Sequence, residues 1–424
     1  MIILPAFDWP LDYMIRNTRT AKAWVDNLHL FLVNSAGRSI VYDELLTESD
    51  NDFTGGEVIM ANWIEQIDKC TGCDECMGVC PTYIVTGDYH ASPRGRIESA
   101  RRLFAEEILD ASLIESFYNC PKCMACESVC PEGIEVSKIV GASRNRVVEN
   151  GQGPLEPHKK IISGIGKNGN SVNGDPAKRL DWMPEPFKSH ESETLFYAGC
   201  LPSYLVQEAA AYSYLVLKRL GVDFMILEDE GCCGTYIYES GEVEHARDYF
   251  GKNADRFKEL GIKKVIVPCN GCFKCFKYFY PEVLGSKDFE VFHVVETIYD
   301  HLKKQPDMLR KIEREITYQD TCRLGRAEGI TREPREILKW CGASVNELPE
   351  NRENTPCCGS GGGIRSAFRG LSFDIAKELL NKVETRELVS PCPFCTFNLN
   401  YTIKKGSFEK NVTYITKIIW ESLG

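Results

Sequence analysis

Eighteen of the 20 cysteines in this 424-residue chain fall into two kinds of spacing. Cys70, Cys73, Cys76 and Cys80 follow C-x2-C-x2-C-x3-C with Pro81 next, and Cys120, Cys123, Cys126 and Cys130 repeat the run with Pro131 next. Farther on, Cys200 precedes the adjacent pair Cys232-Cys233 and then Cys269 and Cys272. Cys322 precedes Cys357-Cys358 and then Cys392 and Cys395. The second set follows the first at offsets of 122 (200 to 322), 125 (232 to 357) and 123 residues (269 to 392), an internal repeat. Thiolates are soft, anionic donors suited to iron–sulfur clusters and to zinc. The chemistry these spacings suggest is therefore one-electron transfer.

The doubled eight-cysteine run is similar to that of bacterial ferredoxins. Three closely spaced cysteines wrap one cubane, and the fourth, before proline, reaches the other cluster. That rule assigns Cys70, Cys73, Cys76 and Cys130 to one 4Fe–4S cluster and Cys120, Cys123, Cys126 and Cys80 to a second. A pair of zinc sites is the bland alternative, but zinc needs no proline-marked crossover. Two such clusters in series make a wire, with every thiolate used as a ligand.

Each later set has five cysteines, one more than a cubane needs. Adjacent side chains diverge, so a pair such as Cys232-Cys233 caps two corners of a regular cube poorly. It fits better if one sulfur bridges irons in an opened cluster. A vicinal disulfide, or a four-cysteine zinc site with a spare thiol, are the alternatives.

The spacings C-x31-CCG-x34-C-x2-C and C-x34-CCG-x32-C-x2-C resemble the paired cysteine-rich CCG domains of heterodisulfide reductase. A ferredoxin domain ahead of two CCG repeats resembles the D-subunit family of the membrane-linked archaeal enzyme, from about residue 62 to 424. Glycolate oxidase iron–sulfur subunits and anaerobic glycerol-3-phosphate dehydrogenase C subunits share this layout. Retention of both late cysteines in Pro391-Cys392-Pro393-Phe394-Cys395 favours the heterodisulfide branch. So does Cys357-Cys358-Gly359-Ser360-Gly361-Gly362-Gly363-Ile364-Arg365. The motifs Cys80-Pro81-Thr82-Tyr83 and Pro93-Arg94-Gly95-Arg96-Ile97 are common to both branches.

The resemblance implies noncubane 4Fe–4S clusters that bind the sulfurs of a disulfide. Cys200, Cys232, Cys233, Cys269 and Cys272 would hold one, with zinc as the alternative there. Cys322, Cys357, Cys358, Cys392 and Cys395 would hold the other and bear the reacting centre. The implied enzyme passes electrons from a b-type cytochrome or flavoprotein partner through the cubanes to reduce, or form, a small-molecule disulfide. The other reading is a carrier, the iron–sulfur subunit of a flavin-linked lactate- or glycolate-type dehydrogenase.

Around these motifs, Arg323, Arg326 and Arg365 would suit an anionic thiol, or else form surface salt bridges. The Gly359-to-Gly363 loop is expected to open a helix near Ile364. It offers close backbone approach and a helix start that favours anions, or is simply a tight turn. Gly164-Ile165-Gly166-Lys167-Asn168-Gly169 matches G-x-G-x-x-G by letter but has no strand–turn–helix context, and reads as linker. Cys275 and Cys341 are left over as buried free thiols.

The elements that must hold these residues follow from pattern. Ser92-Pro93 begins a helix with Ile97, Ala100, Leu103, Phe104 and Ile108 on one face. Strands Glu193–Ala198 and Ile316–Asp320 run into Cys200 and Cys322. Val265–Val267 and Leu388–Val389 lead to Cys269 and Cys392, and helices over 246–260 and 373–383 alternate with them. The expected class is α+β multidomain: a helical ferredoxin-like domain (60–150), a linker (151–192) and two α/β CCG domains (193–312 and 313–424). Residues 28–33 and 39–42 suggest a hairpin in an N-terminal extension (1–59). Gly55-Gly56-Glu57-Val58 before Met60 raises the expectation that Met60 is the true start. A net charge of −11 argues against binding nucleic acid. The chain shows neither a signal peptide nor an 18-residue apolar run, so a cytoplasmic protein is expected, touching the inner face of a membrane only through a partner.

Overall fold

The computed structural model describes residues 63–106 and 109–424, with the backbone of two short strands, β1 (Leu32–Val33) and β2 (Ser39–Ile40). Residues 1–61 and 62–424 form separate units. In the first, β1 and β2 pair antiparallel, Leu32 opposite Ile40, within the expected hairpin. The rest of the extension, Met60 included, lies outside the described residues.

The second unit begins with a helical domain. Ser92 caps the helix Pro93–Phe104 by accepting from the Gly95 N–H, and proline at its first position is preorganised for helix. Ile97, Ala100, Leu103 and Phe104 are buried as their spacing predicts. The helix stops at Phe104, short of Ile108, which lies outside the described residues. Asp110 caps Ala111–Tyr118, and these two helices pack with Val136–Glu149.

Two all-parallel α/β layers follow. In the first repeat β3 (Thr194–Phe196), β4 (Lys264–Val267) and β5 (Glu290–His293) lie in the order β3-β4-β5. In the second, β6 (Arg314–Tyr318), β7 (Ala343–Glu347), β8 (Glu387–Ser390) and β9 (Asn411–Tyr414) lie in the order β7-β6-β8-β9. A single parallel bridge, Leu195 to Met225, occupies in the first repeat the place β7 has in the second. The repeats share one core. The helix Gln207–Arg219 of the first packs on Ile415–Leu423 of the second, and Val294–Leu302 packs on Arg332–Trp340 in the reciprocal arrangement. Tyr214, Val295, Ile316, Ile337 and Ile418 meet in that core.

The segment 151–192, expected as a linker, is packed structure. It holds the helix Glu156–Asn168, which buries His158, Ile162 and Ile165, and it also buries Arg179 and Trp182. The first five of the six G-x-G-x-x-G letters fall on that helix, and the last, Gly169, ends it at φ 66° as a left-handed cap. No described helix is long and apolar enough to cross a membrane.

Candidate metal centres

The two ferredoxin-type runs wrap neighbouring cavities. Cys70, Cys73, Cys76 and Cys130 line one. Cys80, Cys120 and Cys123 line the other, and Cys126 stands in the wall of both. The loops take this shape through left-handed residues at matching places: Gly72 and Asp74 in the first run (φ 72° and 66°), Lys122 and Met124 in the second (φ 51° and 64°). Proline explains the crossover of Cys80. It starts the helix Pro81–Thr86, which Cys80 caps, so the thiol leaves the loop that holds its neighbours. Arg94 fixes the first loop by donating to Asp74 (2.7 Å) and to the Gly72 carbonyl (3.3 Å). The Lys122 N–H donates to Cys120 Sγ at 3.4 Å. Among the described residues no three His, Cys, Asp or Glu side chains converge tightly enough for a single metal ion. Four thiols spread around one cavity fit a multi-atom cluster by donor chemistry.

In the first repeat all five expected thiols, Cys200, Cys232, Cys233, Cys269 and Cys272, lie buried in one cluster. Gly199, at φ 82°, lets the backbone turn into Cys200. A Cβ there would stand 3.0 Å from Cys272 Sγ. The buried Glu230 accepts from the Ala198 and Gly199 N–H groups (2.8 Å each) and pairs with the buried Arg179. This brace holds the strand end that presents Cys200.

In the second repeat Cys395 and Cys358 Sγ lie 2.9 Å apart, and Cys392 adjoins Cys395. Cys322 opens the turn Cys322–Arg326 close to Cys357 and Cys358. Burial, then the neighbouring Cys123 and Cys358 thiols, push the Cys322 thiol up to about 12. Cys357 packs in one buried cluster with Cys123, a residue of the second ferredoxin-type cavity. The second set is thus in direct contact with that cavity's wall, a link between sites 234 residues apart in sequence (123 to 357).

Buried Arg144 explains how the link is held. Its guanidinium donates to the carbonyls of Phe117 and Cys120 in the helical domain, Glu239 in the first repeat and Gly362 in the second. The close backbone approach expected of the glycine loop is an approach to protein. A Cβ at Gly361 or Gly362 would stand 2.5 Å from the Pro121 or Cys120 carbonyl, so the loop exists for close approach to the Cys120 segment. The helix after it, Ile364–Ala367, is only four residues long and makes no anion site.

Of the arginines singled out by sequence, Arg323 is no surface group. It pairs with Glu239 at 2.6 Å, and both side chains are at least nine-tenths buried. It lies between the sites, influencing Cys322 and Cys392 on one side and Cys269 on the other. Arg326 binds the Cys123 carbonyl at 2.8 Å, while Arg365 stacks on Tyr401 (4.3 Å). Sequence reasoning missed Lys122, Glu239 and Lys274, which join Arg323 in one buried charge cluster. Although burial opposes it, Arg323, Lys122 and Lys274 hold the Glu239 carboxyl down to about 2. Only Lys122, inside the second cysteine run, carried a local signal. Asn270 donates to Thr321 Oγ1 at 2.5 Å, tying the segments beside Cys269 and Cys322. Cys341 is buried in the shared core, and Cys275 is buried beside Cys233.

Comparison with known proteins agrees with this layout. Residues 66–134 match the 4Fe-4S dicluster domain family, and residues 194–277 and 316–400 match the cysteine-rich CCG family. The chain is 31% identical to the D subunit of the dihydromethanophenazine:CoB–CoM heterodisulfide reductase of Methanosarcina mazei, over 85% of this chain and 94% of that one. It is 28% identical to the EtfAB:quinone oxidoreductase of Syntrophomonas wolfei over 68% of this chain and 44% of that protein. It is 26% identical to the B subunit of the fumarate reductase (CoM/CoB) of Methanothermobacter marburgensis over 62% and 52%.

Proposed function

The chain belongs to the family of heterodisulfide reductase D subunits, iron–sulfur components of an oxidoreductase, and from that premise we propose that it reduces, or in reverse forms, a small-molecule disulfide with electrons from a partner protein. The observation that carries this reading is the packing of Cys357 and Cys322 in one buried cluster with Cys123, which joins the helical domain to the second repeat. Bound clusters would supply one-electron transfer at the paired cavities and, in the repeats, iron to which a substrate sulfur can bind.

The chain's own residues do the rest. Cys70, Cys73, Cys76 and Cys130 would hold one cubane; Cys80, Cys120, Cys123 and Cys126 would hold the other. Cys322, Cys357, Cys358, Cys392 and Cys395 would hold the reacting noncubane centre, and Cys200, Cys232, Cys233, Cys269 and Cys272 a second. Arg323, between the two sets, supplies a fixed positive charge where thiolate develops. Balance requires two electrons and two protons for each disulfide split into two thiols. The electrons come from a b-type cytochrome or a flavoprotein.

The test is anaerobic reconstitution with iron and zinc counting, electron paramagnetic resonance, and turnover of a synthetic disulfide under a low-potential donor. About sixteen irons, four in each of four clusters, with turnover are expected. Full loading without turnover would overturn disulfide chemistry and leave a carrier. Zinc in place of iron at the first repeat would confine the chemistry to the second.

A further inference from the structure

The two repeats share a device that neither the spacing of the ligands nor the family layout assigns. Three residues beyond the last cysteine of each set stands a fully buried hydrogen-bond donor, Cys275 after Cys272 and Asn398 after Cys395. Each points at the same backbone atom. Asn398 Nδ2 donates to the Cys358 carbonyl at 2.7 Å, and Cys275 Sγ donates to the Cys233 carbonyl at 3.2 Å. That carbonyl belongs to the peptide linking the second cysteine of the pair to its glycine. The N–H of the same peptide donates to the first cysteine: Gly359 N to Cys357 Sγ at 3.3 Å, and Gly234 N to Cys232 Sγ at 3.4 Å. Both glycines sit at positive φ, 76° and 82°, so the chain leaves this peptide in a direction that a residue with a side chain rarely takes.

Resting on the reading that the repeats bind iron–sulfur clusters, we propose that Asn398 and Cys275 are positioning residues that tune the thiolates of Cys357 and Cys232 through one shared peptide each. A hydrogen bond accepted at a peptide carbonyl polarises the peptide and strengthens the bond its N–H donates. Hydrogen bonds to cluster sulfurs stabilise the more negative, reduced state and so raise its potential. The heads of the two relays differ chemically. Asn398 is an amide, held by Ser372, whose hydroxyl donates to Asn398 Oδ1 at 3.3 Å and whose carbonyl accepts at 3.4 Å. Cys275 is a weak S–H donor, supplemented by the Tyr280 hydroxyl on the same carbonyl at 3.2 Å. A repeat-derived pair of sites is thereby set apart by residues that touch no metal.

The test is a redox titration of the reconstituted full chain followed by electron paramagnetic resonance, with iron counted in each sample. Cys275→Ala removes a donor and Cys275→Ser substitutes a stronger one, and both are small enough for the buried site. Ala should lower and Ser should raise the reduction equilibrium of one signal, by threefold to tenfold. The upper figure is about 59 mV for a one-electron couple. Asn398→Cys, which places the first repeat's group in the second, should lower a different signal by a similar factor. The signals of the N-terminal domain should not move. Unmoved potentials at full iron content, or Ala and Ser shifts of the same sign, overturn the relay alone. Iron lost from Cys275→Ala overturns it in favour of Cys275 as a ligand. Wild-type protein with iron only in the N-terminal domain overturns both the relay and the reading beneath it.

Discussion

Replacing Arg144 by methionine tests the junction that brings the sites together. The guanidinium donates to Phe117 O (3.0 Å from Nε, 2.7 Å from Nη2), Cys120 O (2.9 Å), Glu239 O (2.7 Å) and Gly362 O (2.8 Å). Methionine fills the stem's volume and makes none of these bonds, leaving four buried carbonyls without this donor. At about 1–3 kcal/mol for each orphaned group the gross loss is roughly 4–12 kcal/mol. One effect runs the other way: burial already holds the Arg144 pKa below the usual arginine value, so removing the charge recovers part of a desolvation penalty. Water entry recovers more, and the net expectation is about 3–5 kcal/mol. Urea unfolding of the anaerobic, reconstituted protein reads this as a lower midpoint at unchanged slope. Lysine, which keeps the charge and reaches one or two of the carbonyls, should fall between. An Arg144→Met protein within about 1 kcal/mol of wild type would refute the claim that its bonds to these four carbonyls hold the three segments together.

Acid should destabilise the chain well before its carboxylates titrate. Burial, then Arg144, lowers the His158 pKa to about 4, and burial lowers that of His293 to about 3. An unfolded histidine near 6.5 takes up a proton that the folded one refuses, so this stability is present above about pH 6.5 and is lost as pH falls. The loss is about 1.4 kcal/mol per pH unit for each, or about 4 kcal/mol for the two at pH 5. A urea midpoint that stays constant from pH 7 to 5 would contradict it. Glu239, held near 2, adds a further loss only below about pH 4.5. The crossover of ligands between the cysteine runs predicts a non-additive pattern. Cys80→Ala combined with Cys120→Ala should lose no more iron than Cys120→Ala alone, whereas Cys80→Ala combined with Cys70→Ala should lose about twice as much. Equal iron loss from the two double variants would break the grouping seen in the cavity walls.

Much of the molecule was legible because its chemistry is local. Three thiols within seven residues, with a proline after the fourth, define a loop whose backbone must curl. The left-handed residues at equivalent places in both runs are how it does so. The repeat was legible for the same reason, since in both copies short strands lead into cysteines two to four residues past their ends. The helix Glu156–Asn168 was hidden because its glycines and lysines look like linker, and its stability comes from burying His158, Ile162 and Ile165 against distant segments. The glycine loop after Cys358 and its close backbone approach were legible, but not what it approaches, because the atoms it must clear belong to Cys120 and Pro121.

The division is one of range. Residue type and spacing alone determined which sulfurs are available and that they come in two repeated kinds. Only the folded chain decided that Cys357 meets Cys123, that Arg323 stands between the two five-cysteine sets, and that Arg144 binds carbonyls from three segments. A single buried arginine or glutamate leaves no periodic trace in a sequence, because its partners are chosen by packing across tens to hundreds of residues and not by the neighbours beside it.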